Sequence, residues 1–271
     1  MRLALIGDVG GHSAQLVDLL ERLGVDLDAP AVPEDLTIVQ VGDLIDRGPD
    51  SPGCVALADR LMTHFPDQWV QLLGNHEGNR VGGPVFWDEP LDDVAEATLL
   101  DWWDEGRARM AVAVQSEELG DLLICHGGLT GTVWHVVGKP ELSEAVTLLN
   151  SWVGERPDLA FAAGALLGLQ GAFVGPAWAD ALTELYPSWD RAPSVPFGQV
   201  HGHSAICDWR SGRLHPRASG AVRQGARIDA AHRRTRVDIG GRPFLGIDPT
   251  LGTDATGVSL SALVLRGKIL A

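Results

Sequence analysis

Two carboxylates and a guanidinium stand within five residues of one another in Val41-Gly42-Asp43-Leu44-Ile45-Asp46-Arg47-Gly48-Pro49. Carboxylates so placed can ligate a metal or hold a proton donor, and the planar arginine head suits phosphate oxygens. Polar residues of the same kind follow other short apolar runs: Asp8, the pair Asn75-His76, His126, and His201 with His203. Carboxylate, amide oxygen and imidazole form a borderline-hard ligand set, suited to Mn, Fe or Zn rather than to a soft thiolate site. One such turn is weak evidence. Five in succession point to a metal centre with acid–base chemistry beside it.

The elements that must position these groups alternate between strand and helix. Leu3–Ile6, Leu36–Val41, Trp69–Leu73, Met110–Val114, Leu122–Cys125 and Pro196–Val200 are short runs of buried-strand character. Glycine or proline ends several of them, so the polar residues are released at strand C-terminal ends, where open α/β sheets place ligands. Ser13 is expected to cap a helix with an apolar stripe at Leu16, Leu19, Leu20 and Leu23, stopped by Gly24. Ser51-Pro52 opens a second helix running to about His64. The glycine-rich turn after Ile6 fails the dinucleotide spacing G-x-G-x-x-G, and Asp8 would repel a pyrophosphate. The acidic, tryptophan-bearing stretch 82–106 is expected to be a peripheral helical insert, and 141–189 a helical segment without chemistry. Residues 227–271 alternate in short strands, with Asp248 in a turn.

The chain has 271 residues, 45% hydrophobic and 21% charged, enough for a full core, and is read as a single α/β (α+β) domain, 1–271. A formal charge of -15 argues against a nucleic-acid polymer or an anionic membrane as partner. A phosphate ester would have to be drawn in by metals and arginines against that overall field. Cys54, Cys125 and Cys207 are odd in number and scattered, which fits a reducing compartment. Gly7-Asp8 follows the start too soon for a signal peptide, so a cytoplasmic protein is expected.

In their order, Gly7-Asp8, Gly42-Asp43-Leu44-Ile45-Asp46-Arg47-Gly48, Gly74-Asn75-His76-Glu77, His126-Gly127-Gly128-Leu129 and Gly202-His203 resemble the motifs of the calcineurin-like metallophosphoesterase superfamily. The His126 segment resembles the branch of Ser/Thr protein phosphatases and bis(5′-nucleosyl)-tetraphosphatases. The resemblance spans Leu3 to about Ile206, with a weaker echo at Gly246-Ile247-Asp248 and Leu260–Leu265. It implies a β-sandwich flanked by helices, with two divalent metals (Mn, Fe or Zn, Mn the first to try in vitro) at the strand ends. Asp8 would hold the first metal, Asp43 would bridge both, and Asn75, His126 and a histidine of the 201–203 segment would hold the second. A hydroxide between the metals would attack phosphorus in line. His76, kept cationic by Asp46, would protonate the leaving group, with Arg47 and Asn75 on the phosphate. The implied reaction is phosphomonoester hydrolysis on a phosphorylated small molecule or a Ser/Thr phosphoprotein. A dinucleoside polyphosphate hydrolase, or a non-catalytic regulator that has lost the first metal, are the alternatives.

One position departs from the family pattern: Gly10 stands where the first motif has a ligand histidine. His12, at the start of the following helix, is one substitute. The last motif can be set in two registers. Aligned as G-H, His203 takes the second metal and His201 is a strand residue; aligned as H-x-H, His201 takes the second metal and His203 the first. The glycine before His203 favours the first register. His64, His135, His215 and His232 lack motif context and are read as surface or structural.

Overall fold

The computed structural model describes residues 1–271 except 88, 170, 172, 254 and 256. The apolar runs form two parallel blocks. β1 (Arg2–Ile6), β2 (Leu36–Gln40), β3 (Trp69–Leu72) and β4 (Ala108–Arg109) pair in parallel. β5 (Ala111–Ser116) and β6 (Gly120–Cys125) form a hairpin, and β7 (Gly198–His201) runs parallel to β6. β8 (Cys207–Asp208) and β9 (Arg213–Leu214) make a separate small ribbon. β10 (Arg227–Asp229), β11 (Arg234–Ile239) and β12 (Arg242–Gly246) meander, and β12 lies parallel to β7.

β13 (Leu263–Ile269) joins the blocks. Its first half pairs antiparallel with β1 and its second half with β5, so eleven of the described strands share one hydrogen-bonded sheet. The period-two alternation of side chains shows how that sheet is folded. Leu3, Leu5, Val39, Val41, Val70 and Leu72 from one block pack with Val112, Val114, Leu122, Ile124, Val200 and Leu245 from the other. The intervening Ala4, Ile6, Ile38, Ala113, Leu123 and Cys125 face the helices. The molecule is thus a β-sandwich flanked by helices, as the motifs implied.

Local signals explain the helices, with corrections. α1 (Ser13–Leu23) ends on left-handed Gly24, but His12, not Ser13, sits at its N-cap and makes no side-chain cap bond. The Ser13 hydroxyl instead donates to Asp50, whose carboxylate caps α2 (Ser51–His64) by accepting from the Gly53 N–H. Asn75 and His76 do not end a strand passively; they open the four-residue α3 (Asn75–Gly78). Within 82–106 the helix is confined to α4 (Asp93–Asp104), capped by Asp92; position 88 of that insert lies outside the described residues. The segment 141–189 is helical in pieces: α5 (Gly131–Val136) precedes it, α6 (Leu142–Glu155) fills its start, single turns follow at Pro157–Ala160 and Ala165–Leu167, and a π-helical stretch Ala181–Leu185 runs into α7 (Tyr186–Asp190). Within that segment, 170 and 172 lie outside the described residues.

Candidate metal centre

In each parallel block the C-terminal strand ends lie along one edge, and these ends carry the polar motifs: Asp8 after β1, Asp43 after β2, Asn75 after β3, His126 after β6, His203 after β7 and Asp248 after β12. Backbone bonds hold the turns together. The N–H groups of Val9 and Gly10 both donate to the Asp43 carbonyl, at 3.0 and 2.8 Å. Glu77, fully buried, accepts the N–H groups of Asp43, Leu44 and Gly74 at 2.7–2.8 Å, clamping the second motif to the third. Burial and the neighbouring Asp43 raise the Glu77 carboxyl above its usual range, against the pull of these bonds. No role was assigned to Glu77 from sequence, because two of its three partners, Asp43 and Leu44, lie more than thirty positions upstream.

Four ligand-type groups converge. The Asn75 Oδ1 lies 3.0 Å from the His126 Nε2 and 2.8 Å from the His203 Nδ1, and an Asp43 oxygen lies 3.2 Å from the His126 Nε2. Asp43, His126 and His203 can each offer one atom to a single ion. The His126 Nδ1 faces the Val41 carbonyl at 3.0 Å, leaving Nε2 as the ligand atom. Burial opposes charge on Asp43, yet His126, His76 and Arg47 hold its carboxyl far below the ordinary carboxylate range. Burial alone would lower the His126 pKa, but Asp43 outweighs it and lifts it to about 9. Burial and cationic His126 push His203 down to about 3, so its ring is neutral. A neutral ring has one N–H, yet both nitrogens of His203 face carbonyl oxygens, Asn75 Oδ1 on one side and the Trp178 carbonyl at 3.1 Å on the other. One lone pair therefore confronts an acceptor. A cation between His203 Nδ1 and Asn75 Oδ1, with Nε2–H on Trp178, removes that conflict, so the donor set fits a divalent ion.

His201 is not brought to this cluster. It is fully buried at the end of β7, with Nδ1 at 2.9 Å from the Gly202 carbonyl and Nε2 at 2.8 Å from the Tyr186 hydroxyl. Burial drives its pKa to about 4, and the neutral ring donates at Nδ1 and accepts at Nε2. This placement favours the register that gives His203, not His201, to the cluster. Neither Tyr186 nor Trp178, both in a stretch read as silent, carries a sequence signal for its role. His12 also stays outside the cluster, its Nε2 at 2.9 Å from the Gly252 carbonyl.

Near the first-metal position stand Asp8, Asp43 and a residue that sequence reasoning left in a turn, Asp248. Gly7 packs so tightly on Ile247 that a Cβ there would meet the Ile247 carbonyl oxygen at 2.0 Å. That close approach sets Asp8 beside Asp248. Both are buried, and neither forms an ion pair among the described residues. Asp8 accepts the His203 N–H, and burial followed by Asp248 raises its carboxyl well above the usual range. Buried carboxylates crowded in this way call for a cation. Gly10 is left-handed (φ 54°), and the nearest atom to an added Cβ would be the Asp46 carbonyl oxygen at 3.6 Å. A histidine would find room there but a strained backbone.

Beside the cluster, the His76 Nδ1 is 2.6 Å from Asp46 and its Nε2 is 3.0 Å from the Arg47 Nη2. A guanidinium only donates, so in this geometry the His76 Nε2 stands as its acceptor while Asp46 holds the Nδ1 side. Phe86 and Trp87, from the insert read as peripheral, stand edge-on to His76 with ring centroids at 4.9 and 5.2 Å. Backbone strain concentrates here: among the described residues, Asp43, Asp46, Arg47, His203, Arg233 and Thr250 are six of seven non-glycine positions with positive φ, and all six line this site or the cleft beside it.

The calcineurin-like phosphoesterase family model matches residues 1–207, and the chain belongs to this family. It is similar to the symmetrical bis(5'-nucleosyl)-tetraphosphatase of Chromohalobacter salexigens, 32% identical over 133 residues that cover 46% of this chain and 43% of that protein. It is also similar to the serine/threonine-protein phosphatase 6 catalytic subunit of Caenorhabditis elegans, 28% identical over 46% of this chain and 36% of that protein. The chain therefore spans less than half the length of these curated relatives. Among solved structures it shares its fold with a cold-active protein-tyrosine phosphatase of a psychrophilic Shewanella species, with a TM-score of 0.57, 16% identity and coverage of 100% of this chain and 80% of that one.

Proposed function

We propose that the protein hydrolyses phosphate esters with the help of two divalent metal ions. The observation that carries this reading is the convergence of Asp43, Asn75, His126 and His203 on one point, beside the Asp46–His76–Arg47 chain. A binding module has no evident use for that chain, which weighs against a non-catalytic regulator. Asp43, Asn75, His126 and His203 would hold the second ion. Asp8 and Asp43 would hold the first, with Asp248 in place of the histidine that Gly10 lacks. When bound, such ions supply Lewis acidity and an activated water.

The chain's own residues do the rest. Arg47 binds the phosphoryl oxygens as a planar donor. Once it turns from the His76 Nε2 to phosphate, that nitrogen can carry a proton to the leaving oxygen, with Asp46 fixing the ring through Nδ1. Phe86 and Trp87 wall the ring from water. Simple phosphomonoesters, including phosphoserine and phosphothreonine, are the first substrates to test, with Mn the first metal. No described helix is long and apolar enough to cross a membrane. Three buried free cysteines support the reducing cytoplasm as the proposed location.

Metal analysis beside a p-nitrophenyl phosphate assay tests the reading. Two ions per chain and Mn-dependent turnover are expected. Asp43→Asn should release both ions, and Asp248→Asn only the more weakly held one. Wild-type protein without bound metal and without turnover would overturn the assignment.

A further inference from the structure

A cleft of about 670 Å³ opens from the metal centre, sharing Arg47, His203 and Asp248 with it. Its far wall comes from elements outside the family motifs. The turn of the β8–β9 ribbon delivers Trp209 and Arg210, the chain after β9 delivers Arg217, and the β10–β11 turn delivers Arg233. Among the described residues, Arg47, Arg210, Arg217 and Arg233 form no ion pair with a carboxylate, although acids outnumber bases 36 to 21 in the chain. Three aspartates also line the cleft, each with at least one oxygen engaged within its own turn, and Asp208 lies near Arg210. Asp180 caps the Thr183 N–H, Asp208 accepts from Ser211, and Asp248 accepts from Thr250 beside Asp8. Arg233 is half-buried on a left-handed backbone and anchored by one bond to the Pro249 carbonyl at 2.6 Å. Burial lowers the Arg233 pKa, Asp248 pulls the other way, and Arg210 lies close enough to add a smaller lowering. Like charges gathered at a shared cleft, in an acidic protein, are arranged for an anion.

We propose that Arg210 and Arg233 form an anion subsite for a second phosphate group, next to the one cleaved, so that the preferred substrate carries a phosphate chain, as a nucleoside polyphosphate does. This rests on the phosphoester-hydrolase reading above. Arg47 grips the scissile phosphate, the two outer arginines take its neighbour, and the half-buried indole of Trp209 offers a face for a base. Hydrolysis forms a P–O bond to water and breaks the bond to the bridging oxygen. Water's proton is lost to solvent, and the departing phosphate leaves with the electron pair. Such a leaving group needs less protonation than an alkoxide, so these substrates should depend less on His76.

Steady-state kinetics with p-nitrophenyl phosphate, inorganic tripolyphosphate and diadenosine tetraphosphate test this in wild type, Arg210→Gln and the Arg210→Gln, Arg233→Gln double variant. The Arg210 side chain is exposed and makes no hydrogen bond among the described residues, so Arg210→Gln leaves the fold intact. The ratio of kcat/KM for tripolyphosphate to that for p-nitrophenyl phosphate should fall about tenfold or more in each variant, as expected for lost charge-assisted bonds. A further preference for diadenosine tetraphosphate, lost in Trp209→Ala, extends the subsite to the base. An unchanged ratio overturns the subsite. So does a wild type that prefers a phosphoserine peptide to both polyphosphates. Absence of metal-dependent turnover of p-nitrophenyl phosphate in wild type would instead overturn the parent reading.

Discussion

The Nη2 of Arg47 lies 3.0 Å from the Nε2 of His76, so the residue proposed to grip phosphate also holds the nitrogen proposed to give up a proton. One bond must break before either group works. Phosphate binding and proton delivery are thereby linked through a single guanidinium.

Replacing Arg47 by alanine should therefore affect more than affinity. Loss of one charge-assisted phosphate contact is worth about 1.5–3 kcal/mol, or roughly ten- to a hundredfold in kcat/KM. Inhibition by inorganic phosphate should weaken in parallel, with metal content unchanged. Undiminished phosphate inhibition in Arg47→Ala would place the guanidinium outside the substrate site.

His76→Asn should slow alkyl phosphates far more than p-nitrophenyl phosphate, about a hundredfold against a few fold, because an activated leaving group needs little protonation. Asp46→Asn should act in the same direction but less, since it alters only the bond at Nδ1. A plot of log kcat against leaving-group pKa decides the matter. Parallel lines for wild type and His76→Asn remove the acid role.

The pH dependence follows from His126. With its pKa lifted to about 9 by Asp43, the metal-free protein carries a proton on the nitrogen that must bind metal. His203, lowered to about 3, contributes no such proton. Loading the second site should release close to one proton per ion at pH 7.5, and apparent affinity should fall about tenfold per pH unit below 9. Titration calorimetry in buffers of different ionisation enthalpy reads that proton directly; none released would sink the argument. The sign for folding follows from the same shift. The raised pKa contributes stability fully present below about 6.5 and lost as pH rises through about 9, so metal-free protein should melt lower at pH 9.5 than at pH 6.5.

Glu77→Gln tests the clamp. Its two oxygens accept three backbone N–H groups, and an amide would turn an NH₂ toward at least one of them. A destabilisation of about 1–3 kcal/mol is expected, with weaker metal binding because Asp43 is no longer held. An unchanged melting temperature would show that the clamp carries no weight.

The amino-acid sequence by itself determined the motif residues, the strands that release them and the family pattern. These depend on short-range features: a β-branched run, a glycine or proline after it, and a polar residue next. Asp43, Asn75, His126 and the departure at Gly10 were legible for that reason, and so was α2, whose start is written in Ser51 and Pro52. The choice between His201 and His203 was not, because two histidines one residue apart differ only in what surrounds them. Tyr186 and Gly202 occupy one, while Asn75, 128 positions away, and Trp178 face the other. Asp248 showed in the sequence only as part of a weak family echo, and the outer arginines did not show at all. Asp248 and Arg233 enter the site because β12 lies beside β7, whereas Arg210 arrives on the separate β8–β9 ribbon. Contacts across that many residues leave no periodicity in the chain, since they arise from the closing of the sandwich around a shared core. Tertiary structure alone decided which polar groups face one another at its edge.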